Sequence, residues 1–284
     1  MAHIQLDFFS QALQVGSSVE VILPEAAAGA IGIESASPDD PPVLYLLHGL
    51  SDDHTIWMRR TSIERYAAEY GLAVVMPGVA RSFYNDMAFG PAYWSYVSEE
   101  VPAVVSRFFR VGSGRQKQFV AGLSMGGFGA LKLAFTHPDR FAAAASFSGA
   151  VDMASHVEEL LARRAAAKGG EPVYRENPEM ERFDEYRERE YLLIFGDPPR
   201  VRGTANDPLA LSVQRVEAGD RLPELYIACG TEDFLYDDNQ RLDRHLTDLG
   251  VEHTYITEPG THEWGFWDRH VARFLAWLRG KELL

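Results

Sequence analysis

The sequence predicts an α/β fold: one domain over 1–284, with a mostly parallel central sheet, helices on both faces and an inserted helical segment. Three observations predict it. Short apolar runs such as VLYLL (Val43–Leu47), LAVVM (Leu72–Met76) and LYIAC (Leu225–Cys229) alternate with stretches of helical spacing. The 284 residues, 46% hydrophobic and 24% charged, suffice for a sizeable core. No repeat, linker or second apolar cluster divides them.

Charge narrows the classes of function. The net charge of −14 and the pI near 5.1 argue against nucleic acid or an anionic membrane surface as partner. The opening residues, MAHIQLDFFSQ, hold no basic stretch followed by an apolar one, and no run reaches the length of a membrane span. The single cysteine, Cys229, sits inside an apolar run and allows no intrachain disulfide, so it reads as a buried structural thiol. A cytoplasmic protein is expected.

In chain order, Ile4–Phe9 and Ser18–Leu23 alternate as two strands, with a turn expected at Val15–Ser17. Ala26–Pro42 is small, acidic and Pro-containing, an exposed loop. The buried strand Val43–Leu47 ends in His48-Gly49-Leu50. A His-Gly step after such a strand suits a loop that offers a main-chain N–H, here Leu50, to an oxyanion. His48 reads as the residue that holds this loop rather than as a base. Asp52, Asp53 and His54 are too close together in sequence to converge on one metal, and caps for the next helix explain the acids. That helix is expected over Ile56–Tyr70, ending at Gly71. The strand Leu72–Met76 follows, then a loop, Pro77–Pro91, carrying Phe83 and Tyr84, whose rings either line a pocket or only pack. A helix over Trp94–Phe109 should be distorted at Pro102.

The chemistry centres on Gly122-Leu123-Ser124-Met125-Gly126, a G-x-S-x-G pattern between strand-like Lys117–Ala121 and a helix expected over Phe128–His137. Such a strand–turn–helix exposes a serine hydroxyl at the apex and points the next N–H, that of Met125, at the same centre. Phe141–Ser148 is a further strand. Residues 153–215 break the rhythm with the amphipathic helix Val157–Lys168 and the charged stretch Glu176–Glu190, an insertion that either decorates or caps the strand ends. After the strand Leu225–Cys229 comes Asp233, the expected triad acid, with Asp152 its rival. Glu232 should point away from Asp233. Asp237 and Asp238 open a helix ending near Leu249, with Gly250 as its cap. His253–Ile256 is the last strand, and His262 follows on a loop before the closing helix Glu263–Leu278. His270, inside that helix, reads as a surface or packing residue. Nucleophile, acid and base in the order Ser124, Asp233, His262, each beyond a separate strand, is the α/β-hydrolase order.

The segments LYLLHGLSDDHTIWMRRTSIERYA, FVAGLSMGGFGALKLA, AASFSGA, CGTEDFLYDDN and GTHEWGFWD closely resemble the tributyrin esterase branch of the esterase D-like family. That family includes S-formylglutathione hydrolases and relatives of the mycolyltransferases. The resemblance runs from the first strands to the closing helix and is weakest over about 153–215. It implies Ser124, Asp233 and His262 as triad, and the Leu50 and Met125 N–H groups as oxyanion hole. It implies a cytoplasmic carboxylesterase for short acyl chains that needs no cofactor or metal. S-formylglutathione hydrolysis, deacetylation of acylated sugars and acyl transfer are the alternatives, and a catalytically dead binding protein is disfavoured because no triad member is lost. The expected partner is a small-molecule ester, and a homo-oligomer is allowed. Bulky rings flank every catalytic loop, so Trp57, Phe83, Tyr84, Phe234 and Trp264 are expected to bound a small acyl pocket.

Overall fold

The computed structural model describes residues 1–26, 38–168 and 178–284, apart from the side chains of 164, 167–168 and 178–185. Most of the expected loop at Ala26–Pro42, and positions 169–177 of the expected insertion, thus lie outside the described residues. The strands are β1 (Ala2–Ser10), β2 (Val15–Leu23), β3 (Val43–Leu47), β4 (Ala73–Pro77), β5 (Gln118–Leu123), β6 (Ala143–Phe147), β7 (Glu224–Gly230) and β8 (Thr254–Glu258). They form one sheet in the order β1-β2-β4-β3-β5-β6-β7-β8. β1 and β2 pair antiparallel, as do β2 and β4, and every other pairing is parallel.

The continuous apolar runs are explained by burial on both faces. In β3, Val43, Tyr45 and Leu47 join one core while Leu44 and Leu46 join the other. The second core is closed by α1 (Ile56–Arg60), α2 (Ile63–Tyr70) and α10 (Trp264–Gly280). The first is closed by α4 (Val101–Phe108), α5 (Met125–Thr136), α8 (Pro208–Glu217) and α9 (Tyr236–Asp248). The segment at 153–215 contributes to the same core. Met153, Ala154 and Val157 of α6 (Met153–Lys168), and Tyr191, Ile194 and Phe195 of α7 (Pro178–Phe195), are all buried in it.

Three expectations need correction. The first hairpin turns at Gln11–Gln14, and Gly16 and Ser17 lie in β2 opposite Phe9 and Phe8. The turn is fixed from afar, because the Glu100 carboxylate accepts from the Gln11 N–H at 2.6 Å, the Ala12 N–H at 3.3 Å and the Ser10 hydroxyl. The helix expected over 56–70 breaks at Thr61, which is extended (φ −134°, ψ 173°), while the Ser62 N–H donates to Asp268 Oδ1 on α10 at 3.1 Å. The helix expected from Phe128 starts three residues earlier, directly after Ser124. Pro102 acts as expected: a π-helical turn, Tyr96–Glu100, links the short α3 (Tyr93–Ser95) to α4 just ahead of it. The Ser98 carbonyl, four residues before the proline and deprived of its N–H, accepts from Arg140 Nη1 at 2.6 Å instead.

Candidate active site

β3 and β5 are neighbours, but the chain leaves β3 toward β4 on one side and leaves β5 toward β6 on the other. In an open parallel sheet the crevice beyond the strand ends at such a switch point is where ligands bind. Ser124 follows β5 there, and Leu50 follows β3.

Ser124 adopts φ +52°, ψ −116°, uncommon for a residue with a Cβ. The surroundings hold it in that state. Its N–H donates to the Phe147 carbonyl at 2.9 Å, and its own carbonyl accepts from Ala150 (3.1 Å) and Phe128 (3.2 Å). The turn needs its glycines: a Cβ on Gly122 would stand 2.3 Å from Gly126 O, and one on Gly126 would stand 2.4 Å from Leu47 O. The start of α5 therefore lies directly against the end of β3, with the Met125 N–H among the helix's first-turn amides, which have no intrahelical acceptor. On the β3 side, the Leu50 amide sits in a turn closed by the Asp52 N–H on Gly49 O at 3.3 Å.

His48 holds that turn. It is buried, its Nδ1 bonds Gly49 O at 2.7 Å and its Nε2 accepts from the Val79 N–H at 3.0 Å. Burial pushes its pKa down to about 4, so the ring is neutral near pH 7. Burial also raises the pKa of the half-buried Asp52 carboxyl. Asp53 accepts from the Thr55 N–H at 2.8 Å and from its hydroxyl at 2.6 Å, a local turn at the start of α1. Among the described residues no group of three His, Cys, Asp or Glu side chains is placed to hold a metal ion.

The loops carrying Asp233 and His262 are clipped together. Thr231 N–H donates to Glu258 O and Glu232 N–H to Gly260 O, each at 3.0 Å, while the Gly260 N–H donates back to Glu232 Oε2 at 2.7 Å. Glu232 is exposed and its carboxylate serves this clip, while Asp233 beside it is buried. Asp233, its carboxylate fully buried, accepts from the Leu235 N–H at 2.8 Å and from His262 Nδ1 at 2.9 and 3.1 Å. With Nδ1 donating, His262 Nε2 is the acceptor, and it lies 3.0 Å from Ser124 Oγ. Phe234 and Trp267 flank the imidazole, with ring centroids 4.4 and 4.8 Å away.

Residues 10–278 match the family model described as "Putative esterase". The chain belongs to this esterase family. It is a hydrolase acting on ester bonds, with the α/β-hydrolase fold. It is 28% identical over 279 residues to an acetyl esterase of Caldicellulosiruptor saccharolyticus, covering 98% of each chain. Among solved structures it is similar to a substrate-bound fluorophosphonate-binding serine hydrolase F of Staphylococcus aureus (33% identity, 98% of each chain, TM-score 0.79). It is likewise similar to the apoenzyme of an S-formylglutathione hydrolase from the same organism (34% identity, 98% of each chain, TM-score 0.77).

In the esterase the rival acid, Asp152, is engaged elsewhere. It accepts from the Ser155 N–H at the start of α6 and from Arg241 Nε at 2.8 Å, with no bond to His262. Burial would raise its pKa, but these hydrogen bonds outweigh burial and lower it. The pocket expectation is corrected at three rings. Trp57 is fully buried, and its indole N–H donates to Leu47 O at 3.0 Å. Tyr84 is fully buried with its hydroxyl on His48 O at 2.9 Å, and Phe83 is 4% exposed among Phe128, Tyr191 and Phe195. These rings are packed in the two cores. Of the expected set, Phe234 is 67% exposed beside His262, and Trp264 is half-buried against Trp57 and Trp267. Trp267 itself was not legible as a site residue, because its contact with His262 depends on how α10 docks. No helix among the described residues is long and apolar enough to cross a membrane.

Proposed function

We propose that the esterase hydrolyses short-chain acyl esters through a Ser124–His262–Asp233 triad and an acyl-enzyme intermediate. The observation that carries this reading is the unbroken chain from Asp233 through the His262 ring to Ser124 Oγ, with bonds of 2.9 and 3.0 Å. Ser124 Oγ attacks the ester carbonyl as His262 Nε2 takes its proton, and Asp233 stabilises the imidazolium through Nδ1. The Leu50 and Met125 N–H groups receive the oxyanion, each worth roughly 10²–10³ in rate. The tetrahedral species collapses as His262 returns the proton to the departing alcohol. Water, activated by the same ring, then attacks the acyl-serine and frees the acid.

The short-chain preference rests on likeness to the acetyl esterase over nearly the whole of both chains. A thioester substrate is the second reading, favoured by the equally complete match to the S-formylglutathione hydrolase. We read the segment at 153–215 as an integral wall of one domain, because Tyr191 and Phe195 bury against Phe83. The deciding experiment is a panel of p-nitrophenyl esters from acetyl to palmitoyl, with S-formylglutathione beside them. High kcat/KM is expected from acetyl to butyryl, with a steep fall by octanoyl and negligible turnover of palmitoyl. A profile still rising from butyryl to decanoyl would overturn the short-chain reading, and a dominant rate on S-formylglutathione would replace ester by thioester.

A further inference from the structure

Lys132 lies on α5, eight residues beyond Ser124 and so about 12 Å along the helix. It is 2% exposed, an uncommon place for a lysine, and nothing in the proposed chemistry uses it. Its ammonium has three N–H groups, and three oxygens receive them: Tyr84 O at 3.1 Å, Asn206 Oδ1 at 2.9 Å and Asn85 Oδ1. The Trp94 ring covers it with a centroid 4.2 Å away. All three acceptors are neutral. Burial draws the lysine pKa down to about 7, and the negative charge of the Asp86 carboxylate acts in the opposite direction.

What the cage holds is a strained turn. Phe83 and Tyr84 both have positive φ, +49° and +52°, which bulky residues rarely adopt. Lys132 holds the Tyr84 carbonyl, Asn85 Nδ2 donates to the Phe83 carbonyl at 2.7 Å, and the Tyr84 ring presses on Gly129, where a Cβ would stand 2.5 Å from Cδ2. The other end of that ring donates to His48 O at 2.9 Å. His48 in turn bonds the next carbonyl, Gly49 O, immediately before Leu50. A short rigid path therefore joins the buried ammonium to the Leu50 amide, with Asn206 tying the insertion to the same point.

We infer that Lys132 is a positioning residue: it locks the Phe83–Asn85 turn and, through the Tyr84 hydroxyl on His48 O, sets the Leu50 N–H for the oxyanion. The inference rests on the reading of Leu50 as an oxyanion donor. It is tested with Lys132→Met, Tyr84→Phe and the double variant, assayed on p-nitrophenyl acetate well below each variant's Tm. Active sites are counted by phosphonate titration, so that unfolded protein does not enter kcat. Lys132→Met and Tyr84→Phe should each lower kcat roughly 10- to 100-fold, less than the 10²–10³ that outright loss of an oxyanion donor costs, with KM near the parent's. The double variant should fall no further than the worse single one, because both act through one path. Tyr84→Phe keeps the ring over Gly129, so it carries the test even if Lys132→Met fails to fold. Titratable sites with parental kcat in either single variant would overturn the inference and leave Lys132 a purely structural group. A parent that neither turns over esters nor titrates at Ser124 would overturn the reading of the site, and this inference with it.

Discussion

Gly126→Ala tests the junction on which the catalytic centre is built. The added Cβ would stand 2.4 Å from Leu47 O, 2.7 Å from Leu47 C and 2.8 Å from His48 O. Ordinary contact begins at 3.4 Å, so α5 and the end of β3 must part by about 1 Å. All three atoms are backbone, so no side chain can rotate aside. Overpacking of this kind costs about 1–3 kcal/mol, and each kcal/mol lowers Tm by roughly 2–4 °C in a domain somewhat smaller than this one. The parting also moves the Met125 N–H relative to the Leu50 N–H. A misplacement near 1 Å can cost up to about 10² in rate. Gly16→Ala is the control, because nothing lies within 4 Å of its Cβ. Thermal unfolding by circular dichroism and kcat/KM on p-nitrophenyl acetate, corrected for titrated sites, supply the readouts. Gly126→Ala should lose both stability and rate while Gly16→Ala loses little of either. Parental Tm and kcat/KM in Gly126→Ala would show that the contact between α5 and the end of β3 is not this tight.

Two further predictions follow from the same geometry. Asp233→Asn should lower kcat by roughly 10⁴, as loss of the orienting carboxylate does in such triads, whereas Asp152→Asn should mainly lower Tm by weakening the start of α6; the reverse ranking would move the acid to Asp152. Acid should destabilise the fold through His48, whose folded pKa of about 4 lies below its ordinary 6.5, so the unfolded chain binds the extra proton between those values. Stability is therefore complete above about pH 6.5 and is lost as pH falls toward 4, by on the order of 3 kcal/mol for a shift of this size. His270, buried with a pKa also near 4, adds in the same direction. Denaturant melts of His48→Gln should fall less steeply than the parent's over that window, and parallel curves would contradict the assignment.

Much of the site was legible because its chemistry is fixed locally. Ser124 sits in a strand–turn–helix whose glycines are demanded by contacts within five residues and with the adjacent strand end. Asp233 follows the apolar run of β7, His262 follows the more mixed β8 (TYITE), and these two parallel strands end on the same edge of the sheet. Less legible was everything decided by distant partners. Trp57 looked like a pocket wall because it follows the oxyanion loop, yet its indole N–H finds Leu47 O and the ring is buried. The first turn was misplaced because Gly16 and Ser17 are good turn residues, while Glu100, some ninety residues on, captures the amides at Gln11 and Ala12. Lys132 reads as an ordinary helix lysine. Only the packing of three separate segments around it encloses its ammonium.

In the proposed mechanism Ser124 is the nucleophile, exposed by the strand–turn–helix and deprotonated by His262. The most direct measurement is peptide mass spectrometry of the protein treated with a fluorophosphonate, alongside Ser124→Ala. One adduct per chain is expected, on the peptide containing Ser124, formed in step with loss of esterase activity and absent from a folded Ser124→Ala variant. An adduct on another serine, or full activity in Ser124→Ala, would contradict it.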